Sequence, residues 1–211
     1  MKFNEFYSLT IVHSRDIILV KGVDYMNITK QKSQKTFDKQ AADYDTNIQG
    51  EHARKLYKPI IENLKNKNIH SILDLGCGTG ALLKEIKELN IAEQLFGIDI
   101  SPNMLEIAKN KLGNDATLIL GDSERLPFED SSFDAIVCND SFHHYPQPDI
   151  VEKEVSRCLK QNGVFIIGDC WQPIGARQIM NYYMKHSNSG DVKIYSKKGN
   201  VVIIIKRLPR N

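Results

Sequence analysis

The stretch L-D-L-G-C-G-T-G at residues 73–80 indicates the fold of this chain. It begins as a short apolar run typical of a buried strand and leads, through three glycines, into a helical pattern of apolar residues. Glycines at such a turn let a ligand lie against bare backbone at a helix amino terminus, where a side chain would intrude. The stretch therefore predicts a strand, a ligand-binding turn and a helix.

Beyond this turn, short apolar runs alternate with helical patterns, which is typical of β-α-β units and a parallel sheet. Ser101 and Pro102 begin one helix, as an N-cap followed by a proline at the first helical position. Another begins at Pro148 and is expected to end at Asn162 and Gly163. The pattern predicts an α/β, Rossmann-like fold with helices on both faces and strands at residues 71–75, 95–100, 116–120, 135–139 and 163–168.

The residues before and after this region have different hydrophobic periodicities. Residues 27–67 predict two helices, and Pro59 is expected to kink the second or to start a new one. Residues 176–184 predict a helix, and residues 191–195 and 201–206 an antiparallel hairpin. We expect one domain over residues 1–211, made of an extra N-terminal segment (1–26), a helical cap (27–69) and an α/β core (70–206). The sequence leaves open whether translation starts at Met1 or Met26.

Composition and charge exclude several function classes. Lys and Arg number 28 against 26 Asp and Glu, and this net charge of +2 gives no reason to expect a nucleic-acid partner. No apolar run approaches the ~20 residues of a membrane span. The four cysteines have neither C-x-x-C spacing nor a neighbouring histidine at zinc spacing, so no metal site is predicted and a reducing compartment, the cytoplasm, is expected. The oligomeric state stays open.

Asp99 ends the second predicted strand, 23 residues after Gly76. Rossmann-type folds place the acid that accepts hydrogen bonds from ribose hydroxyls at about this distance, so we expect a nucleoside. Gly76, Gly78 and Ala81 also satisfy the dinucleotide fingerprint. A NAD(P)-dependent oxidoreductase is therefore one alternative, and a non-catalytic cofactor-binding protein is another.

Three further stretches accompany the glycine turn: G-I-D-I-S-P-N-M-L-E-I-A at 97–108, G-D-S-E-R-L-P-F-E-D-S-S-F-D-A-I-V-C-N-D-S-F-H-H at 121–144, and L-K-Q-N-G-V-F-I-I-G-D at 159–169. Together they resemble the class I S-adenosylmethionine-dependent methyltransferases, in the small-molecule branch that includes ubiquinone and menaquinone biosynthesis enzymes. F-D-K-Q-A-A-D-Y-D at 37–45 resembles the helix that these enzymes fold over the cofactor. The resemblance implies S-adenosylmethionine as cofactor, a small-molecule methyl acceptor, and a seven-stranded sheet of order 3-2-1-4-5-7-6 with a C-terminal antiparallel hairpin.

The resemblance also implies cofactor-binding roles along the chain. The methionyl pocket would be shaped by Asp74, Gly76, Cys77, Gly78 and Gly80, with the backbone carbonyl of Asn139 on the amine and Tyr44 over the carboxylate. Asp99 would hold the ribose, and the adenine would lie between Ile100 and Met104, with Asp122 and the Ser123 backbone at its edge.

Each assignment has a simpler alternative. Ile100 and Met104 are equally plausible as core residues, Tyr44 as a packing contact of the N-terminal helix, and Asp122 as the cap of a short turn. His143 and His144, with Asp140 as a third, are the candidates for a general base, because they follow the fourth strand. A role in shaping the acceptor pocket is the favoured expectation for the two histidines, because a histidine in a loop more often forms hydrogen bonds or sets the shape of a site than acts as a base.

Overall fold

The computed structural model describes residues 22–170, 192–197 and 201–207, and the side chains of residues 27–169. The helix predicted at residues 176–184, most of the segment 1–26 and the turn of the predicted hairpin lie outside the described residues.

A parallel sheet forms the centre of the molecule, as the alternating pattern predicted. Its strands are β1 (Ile69–Leu75), β2 (Ala92–Asp99), β3 (Ala116–Leu120), β4 (Phe133–Asn139) and β5 (Leu159–Cys170). They lie in the order β3-β2-β1-β4-β5. Leu73 of β1 pairs with Phe96 of β2 and Ile136 of β4. The chain therefore adds β2 and β3 on one side of β1 and then crosses over to add β4 and β5 on the other side. Such a switch point is where open α/β sheets bind ligands, at the carboxyl ends of the strands.

In the described ranges, five helices and two further strands accompany the sheet. They are α1 (Gly22–Gln40), α2 (Ile48–Leu64), α3 (Ala81–Glu88), α4 (Pro102–Leu112), α5 (Pro148–Cys158), β6 (Val192–Lys197) and β7 (Val201–Arg207). Single 3-10 turns lie at Ala41–Asp43 and Phe142–His144. Among the described residues, no helix is both long and apolar enough to cross a lipid bilayer.

Helix boundaries confirm the Ser101 cap, correct two expectations and leave a kink as the expectation for Pro59. The Ser101 hydroxyl accepts a hydrogen bond from the Met104 amide at 3.1 Å. Helix α1 begins at Gly22, inside the segment that was expected to precede the cap. Helix α2 runs through Pro59 without a second start. Helix α5 ends at Cys158 rather than at Asn162, because strand pairing with β4 begins at Leu159.

Apolar side chains bury both faces of the sheet. Ile72 packs with Leu56, Ile60 and Ile86 on the face covered by α2 and α3. The next residue, Leu73, packs on the opposite face with the apolar side of α5, as the two-residue period of a strand requires. Since both faces are filled by core residues, the strand ends are left to carry polar groups.

Candidate active site

A cavity lies at the carboxyl ends of β1, β2 and β4, with about 710 Å³ of empty space, part of it open to solvent. A smaller cavity of about 310 Å³ adjoins it and shares four of its lining residues. The predicted cofactor residues that line the larger one are Tyr44, Gly76, Gly78, Asp99, Ile100, Met104, Asp122, Ser123 and Asn139. Asp74 and Cys77 line the smaller one.

Gly80 is the predicted cofactor residue that lines neither cavity. It is the N-cap of α3, in the left-handed region with φ of 72°. A Cβ there would lie 2.8 Å from Leu112 Cδ1 and 3.1 Å from Ala108 Cβ. The lack of a side chain at this position therefore serves the packing of α3 against α4.

Gly78 differs from Gly80 in what surrounds it. Its φ is 52°, and a Cβ built on it would meet no atom within 4 Å. The space beside its backbone is thus part of the cavity, as expected where a ligand lies against a glycine.

Asp99 has partners within the protein itself. Its carboxylate accepts hydrogen bonds from the Gly78 amide and the Ser101 amide, each at 2.8 Å. Its side chain is almost fully buried, and this burial raises its pKa. Asp99 therefore links the glycine turn to the start of α4, in addition to facing the cavity. A carboxylate has about four acceptor positions, so two amides leave room for further donors.

Within the part of the chain that the structure describes, three buried side-chain oxygens at the cavities have no hydrogen-bond partner: Asp74 Oδ1, Asn139 Oδ1 and Asp140 Oδ1. Burial, followed by the charge of Asp99, raises the pKa of Asp74 well above its usual value. Buried polar atoms in native proteins are nearly always hydrogen-bonded. The three oxygens therefore indicate a ligand that brings donors or positive charge.

The outer part of the cavity lies against Asp122, Ser123 and Lys30. Asp122 Oδ1 accepts from the Glu124 amide at 2.9 Å, as the turn-cap alternative predicted. Lys30, on α1, pairs with Asp122 at 2.6 Å and also contacts Glu124. The sequence reasoning missed Lys30, because nothing in its helical pattern distinguished it from the neighbouring lysines.

Helix α1 and the turn after it close over this region through two aspartates. Asp38 accepts from the Ser101 hydroxyl at 2.6 Å. Asp45 accepts from the Thr79 hydroxyl at 2.6 Å and pairs with Lys111 at 2.7 Å. Of the helical cap predicted at residues 27–69, α2 packs against the sheet, so we use the name cap from here on for α1 and residues 41–45 only.

Tyr44 ends the cap's 3-10 turn and is partly buried beside Phe37, with ring centroids 6.5 Å apart. Burial, together with the charges of Asp140 and Asp99, raises the pKa of Tyr44 to about 12. The tyrosine therefore lies between the cap and the cavity, so its packing role and its predicted cofactor role are compatible.

The two adjacent histidines have different environments. His143 Nδ1 lies 2.6 Å from Asp169 Oδ1, and the His143 amide donates to Asp169 Oδ2 at 3.1 Å. Although its burial opposes the charge, the bond to Asp169 raises the pKa of His143. His144 lines the larger cavity and keeps part of its surface exposed; the burial of the rest of the ring, followed by the charge of His143, lowers its pKa to about 4. The sequence had treated the two as equivalent.

Asp169 is a second residue that the sequence reasoning missed. It is fully buried near the end of β5. The signal was available, because an acid that ends an apolar strand needs a polar partner, and the same signal singled out Asp99.

Asp140, His143 and Asp169 present ligand atoms within 4.8 Å of one another, a spacing that could hold a metal ion. The expectation of no metal site came from the cysteine spacing and stays a prediction.

Comparison with known proteins identifies the family. The sequence family described as a methyltransferase domain matches residues 73–167 of this chain. A demethylmenaquinone methyltransferase of Thermotoga maritima is 32% identical over 163 residues, which are 74% of this chain and 71% of that protein. The chain belongs to the class I S-adenosylmethionine-dependent methyltransferases. A sterol 4-C-methyltransferase of Caenorhabditis elegans is 35% identical over 56% of this chain, but only over 36% of its own length.

Solved structures support the fold. The crystal structure of a putative S-adenosyl-L-methionine-dependent methyltransferase from Methanococcus maripaludis has a TM-score of 0.64 at 20% identity, covering 87% of this chain and 95% of its own. With the family established, this methyltransferase uses S-adenosylmethionine, as predicted. The oxidoreductase and non-catalytic alternatives have no support from these comparisons.

The residues present fit that cofactor on physical grounds. S-adenosylmethionine carries an ammonium group and a sulfonium, and the smaller cavity offers the unpartnered Asp74 Oδ1 and Asn139 Oδ1. Its ribose hydroxyls match the remaining acceptor positions of Asp99. The apolar Ile100 and Met104 line the larger cavity, as a flat base requires.

Proposed function

We propose that this methyltransferase transfers the methyl group of S-adenosylmethionine to a small aromatic acceptor of the quinol type. The observation that supports it most is a cavity that continues past the predicted cofactor residues to Phe37, His144, Tyr145 and Pro146. These side chains offer flat, mainly apolar surface. The similarity to a demethylmenaquinone methyltransferase points to the same class of acceptor.

We propose the following cofactor contacts. Asp74 and Asn139 would hold the methionyl ammonium, Asp99 the ribose, and Asp122 the exocyclic amine of adenine. Gly76, Gly78, Cys77 and Ser123 would contribute backbone, Ile100 and Met104 apolar walls, and Tyr44 a contact at the carboxylate. Gly80 would act indirectly, since its place in the packing of α3 fixes the start of the helix.

The chain needs few reactive groups for this chemistry. The bound cofactor supplies an electrophilic methyl group on a leaving sulfur, so positioning provides much of the rate. His144 would shape the acceptor pocket, because its ring contacts that of Phe37 edge to face, with centroids 5.2 Å apart. Its pKa, lowered to about 4, makes it a weak general base near neutral pH.

We also propose that the sheet has seven strands in the order 3-2-1-4-5-7-6 and ends in an antiparallel hairpin. Support comes from the backbone register, which sets Ile205 of β7 opposite Ile166 of β5 and Lys193 of β6. A cytoplasmic location is the further expectation, supported by the free cysteines Cys77, Cys138 and Cys158.

The test uses the full chain and two measurements. S-adenosylhomocysteine at 100 times its Kd should add about 2.7 kcal/mol to the free energy of unfolding, whereas NAD(H) and NADP(H) should add nothing. Tritiated S-adenosylmethionine should then label 1,4-naphthohydroquinone, kept reduced, in preference to a sterol or a malonyl thioester. Labelling of either of the latter instead would contradict the proposed acceptor class.

A further inference from the structure

Asp140, the residue directly after β4, has a backbone that few residues adopt. Its φ is 50°, in the left-handed region, which aspartate and asparagine tolerate better than most residues. Its amide donates to the Gly168 carbonyl at 2.6 Å, which attaches it to β5. The position of its side chain is therefore fixed by the sheet.

The two carboxylate oxygens of Asp140 are not equivalent. Oδ2 lies 3.5 Å from His52 Nδ1 of α2. Oδ1 is buried and has no hydrogen-bond partner among the described residues, in a side chain that is only 11% exposed. A buried acceptor of this kind is costly unless a donor reaches it.

The titratable neighbours of Asp140 do not supply that donor. They are His52 on α2, His143 on the 3-10 turn, Asp169 on β5 and Tyr44 on the cap. His143 directs its Nδ1 to Asp169, and the Asp169 carboxylate adds negative charge. The missing donor is therefore expected to come with a ligand.

The position of Asp140 assigns that donor to the methyl acceptor. Asn139 lines both cavities, whereas Asp140 lines only the larger one, together with Ser141 and His144. If the cofactor binds as proposed above, its ammonium, ribose and adenine donors already have Asp74, Asp99 and Asp122 as partners. A donor from a second molecule remains.

We infer that Asp140 selects the methyl acceptor by accepting a hydrogen bond from one of its hydroxyl groups through Oδ1. This inference rests on the proposed function, since it requires the cofactor to bind at the carboxyl ends of β1 and β2. It narrows the acceptor to a molecule with a free hydroxyl and disfavours its ether, which has no hydrogen to donate.

A matched pair of aromatic probes tests this without the natural acceptor. 1-Naphthol and 1-methoxynaphthalene differ at one oxygen, which carries a hydrogen in the first and a methyl group in the second, and their Kd for the S-adenosylhomocysteine complex is measured by NMR titration. Wild type should prefer 1-naphthol by about tenfold, the effect of one hydrogen bond to a charged acceptor. Asp140→Gly, which removes the acceptor and tolerates the positive φ, should reduce the preference to less than about twofold.

Two further variants complete the experiment. Asp140→Asn keeps the shape and the backbone preference but not the charge, and should give an intermediate preference. Asp115→Asn, at an exposed carboxylate paired with Lys87, should behave as wild type. Affinity for S-adenosylhomocysteine should stay within about twofold in all three variants.

Several outcomes would overturn the inference. One is equal binding of the two probes by wild type, and another is an unchanged preference in Asp140→Gly. A tenfold loss of S-adenosylhomocysteine affinity in Asp140→Gly would assign the residue to the cofactor. Micromolar Zn²⁺ or Mn²⁺ binding that Asp140→Asn removes would assign Oδ1 to a metal ion. Failure of the methylation assay alone would count against the quinol acceptor and leave the probe comparison intact.

Discussion

Two buried aspartates at the carboxyl edge of the sheet, one on β2 and one on β5, carry out different tasks. Asp99 ends β2 and accepts hydrogen bonds from two backbone amides, those of Gly78 and Ser101. Asp169, near the end of β5, is just as buried but contacts the imidazole of His143. The Asp99 carboxylate holds backbone amides in place, whereas the Asp169 carboxylate orients a titratable side chain. In the proposed arrangement, backbone amides therefore shape the cofactor side at the glycine turn, whereas side chains shape the acceptor side.

The largest expected effect lies on the cofactor side, at Gly78. Gly78→Val should abolish measurable binding of S-adenosylhomocysteine, a loss of about 1,000-fold or more, because the side chain would occupy space needed by the ligand. Gly113→Val is the matched control, since Gly113 has a φ of 56°, equally open surroundings and a place outside both cavities. Calorimetric titration measures binding, and circular dichroism monitors the fold.

If both variants bound S-adenosylhomocysteine as tightly as wild type, the bare backbone of Gly78 would not contact the cofactor. If both lost binding together, backbone strain rather than lost space would be the cause.

A smaller effect is expected at Asp99. Asp99→Ala should weaken S-adenosylhomocysteine binding by about 1 to 3 kcal/mol, or roughly 5- to 150-fold, as hydrogen bonds to a charged acceptor disappear. Asp134→Ala is the control, because Asp134 also accepts from two amides, those of His70 and Ser71, but at the opposite edge of the sheet. Unchanged affinity in Asp99→Ala would show that Asp99 only holds the amides of Gly78 and Ser101 and does not contact the cofactor.

The smallest effect concerns the acceptor side. NMR titration of the imidazoles should give His143 a pKa above its usual 6.5 and His144 a pKa near 4. Asp169→Asn should lower the pKa of His143 and leave the affinity for S-adenosylhomocysteine unchanged.

The stability of the same variant has a defined pH dependence. A pKa that is raised in the folded protein stabilises it fully below the unfolded value of about 6.5, and this contribution is lost as pH rises through the folded value. Asp169→Asn should therefore lose more stability at pH 6 than at pH 9, measured by urea unfolding. A difference of the opposite sign would mean that the charged imidazole is not what Asp169 stabilises.

Sequence reasoning predicted the residues that line the cavity better at β1 and β2 than at the turn after β4. The glycine turn and Asp99 are encoded locally, by a strand, a turn and one acid at a fixed distance. The contact of His143 with Asp169 joins residues 26 positions apart, and that of Lys30 with Asp122 joins residues 92 positions apart. Neither pair leaves a local pattern. The end of α5 was misplaced because pairing with β4, a tertiary effect, begins before the asparagine and glycine that usually stop a helix.

The cap has a kinetic consequence. Lys30, Asp38 and Asp45 attach it to three separate loops at the carboxyl edge of the sheet, while Phe37 and Lys30 form part of the cavity wall. If release of a molecule from beneath the cap requires these contacts to break together, its residence time is set by how often they do so. In enzymes closed in this way, product release rather than chemistry often limits turnover. Weakening a single one of these contacts, far from the transferred methyl, would then speed both the escape of S-adenosylhomocysteine and the overall cycle.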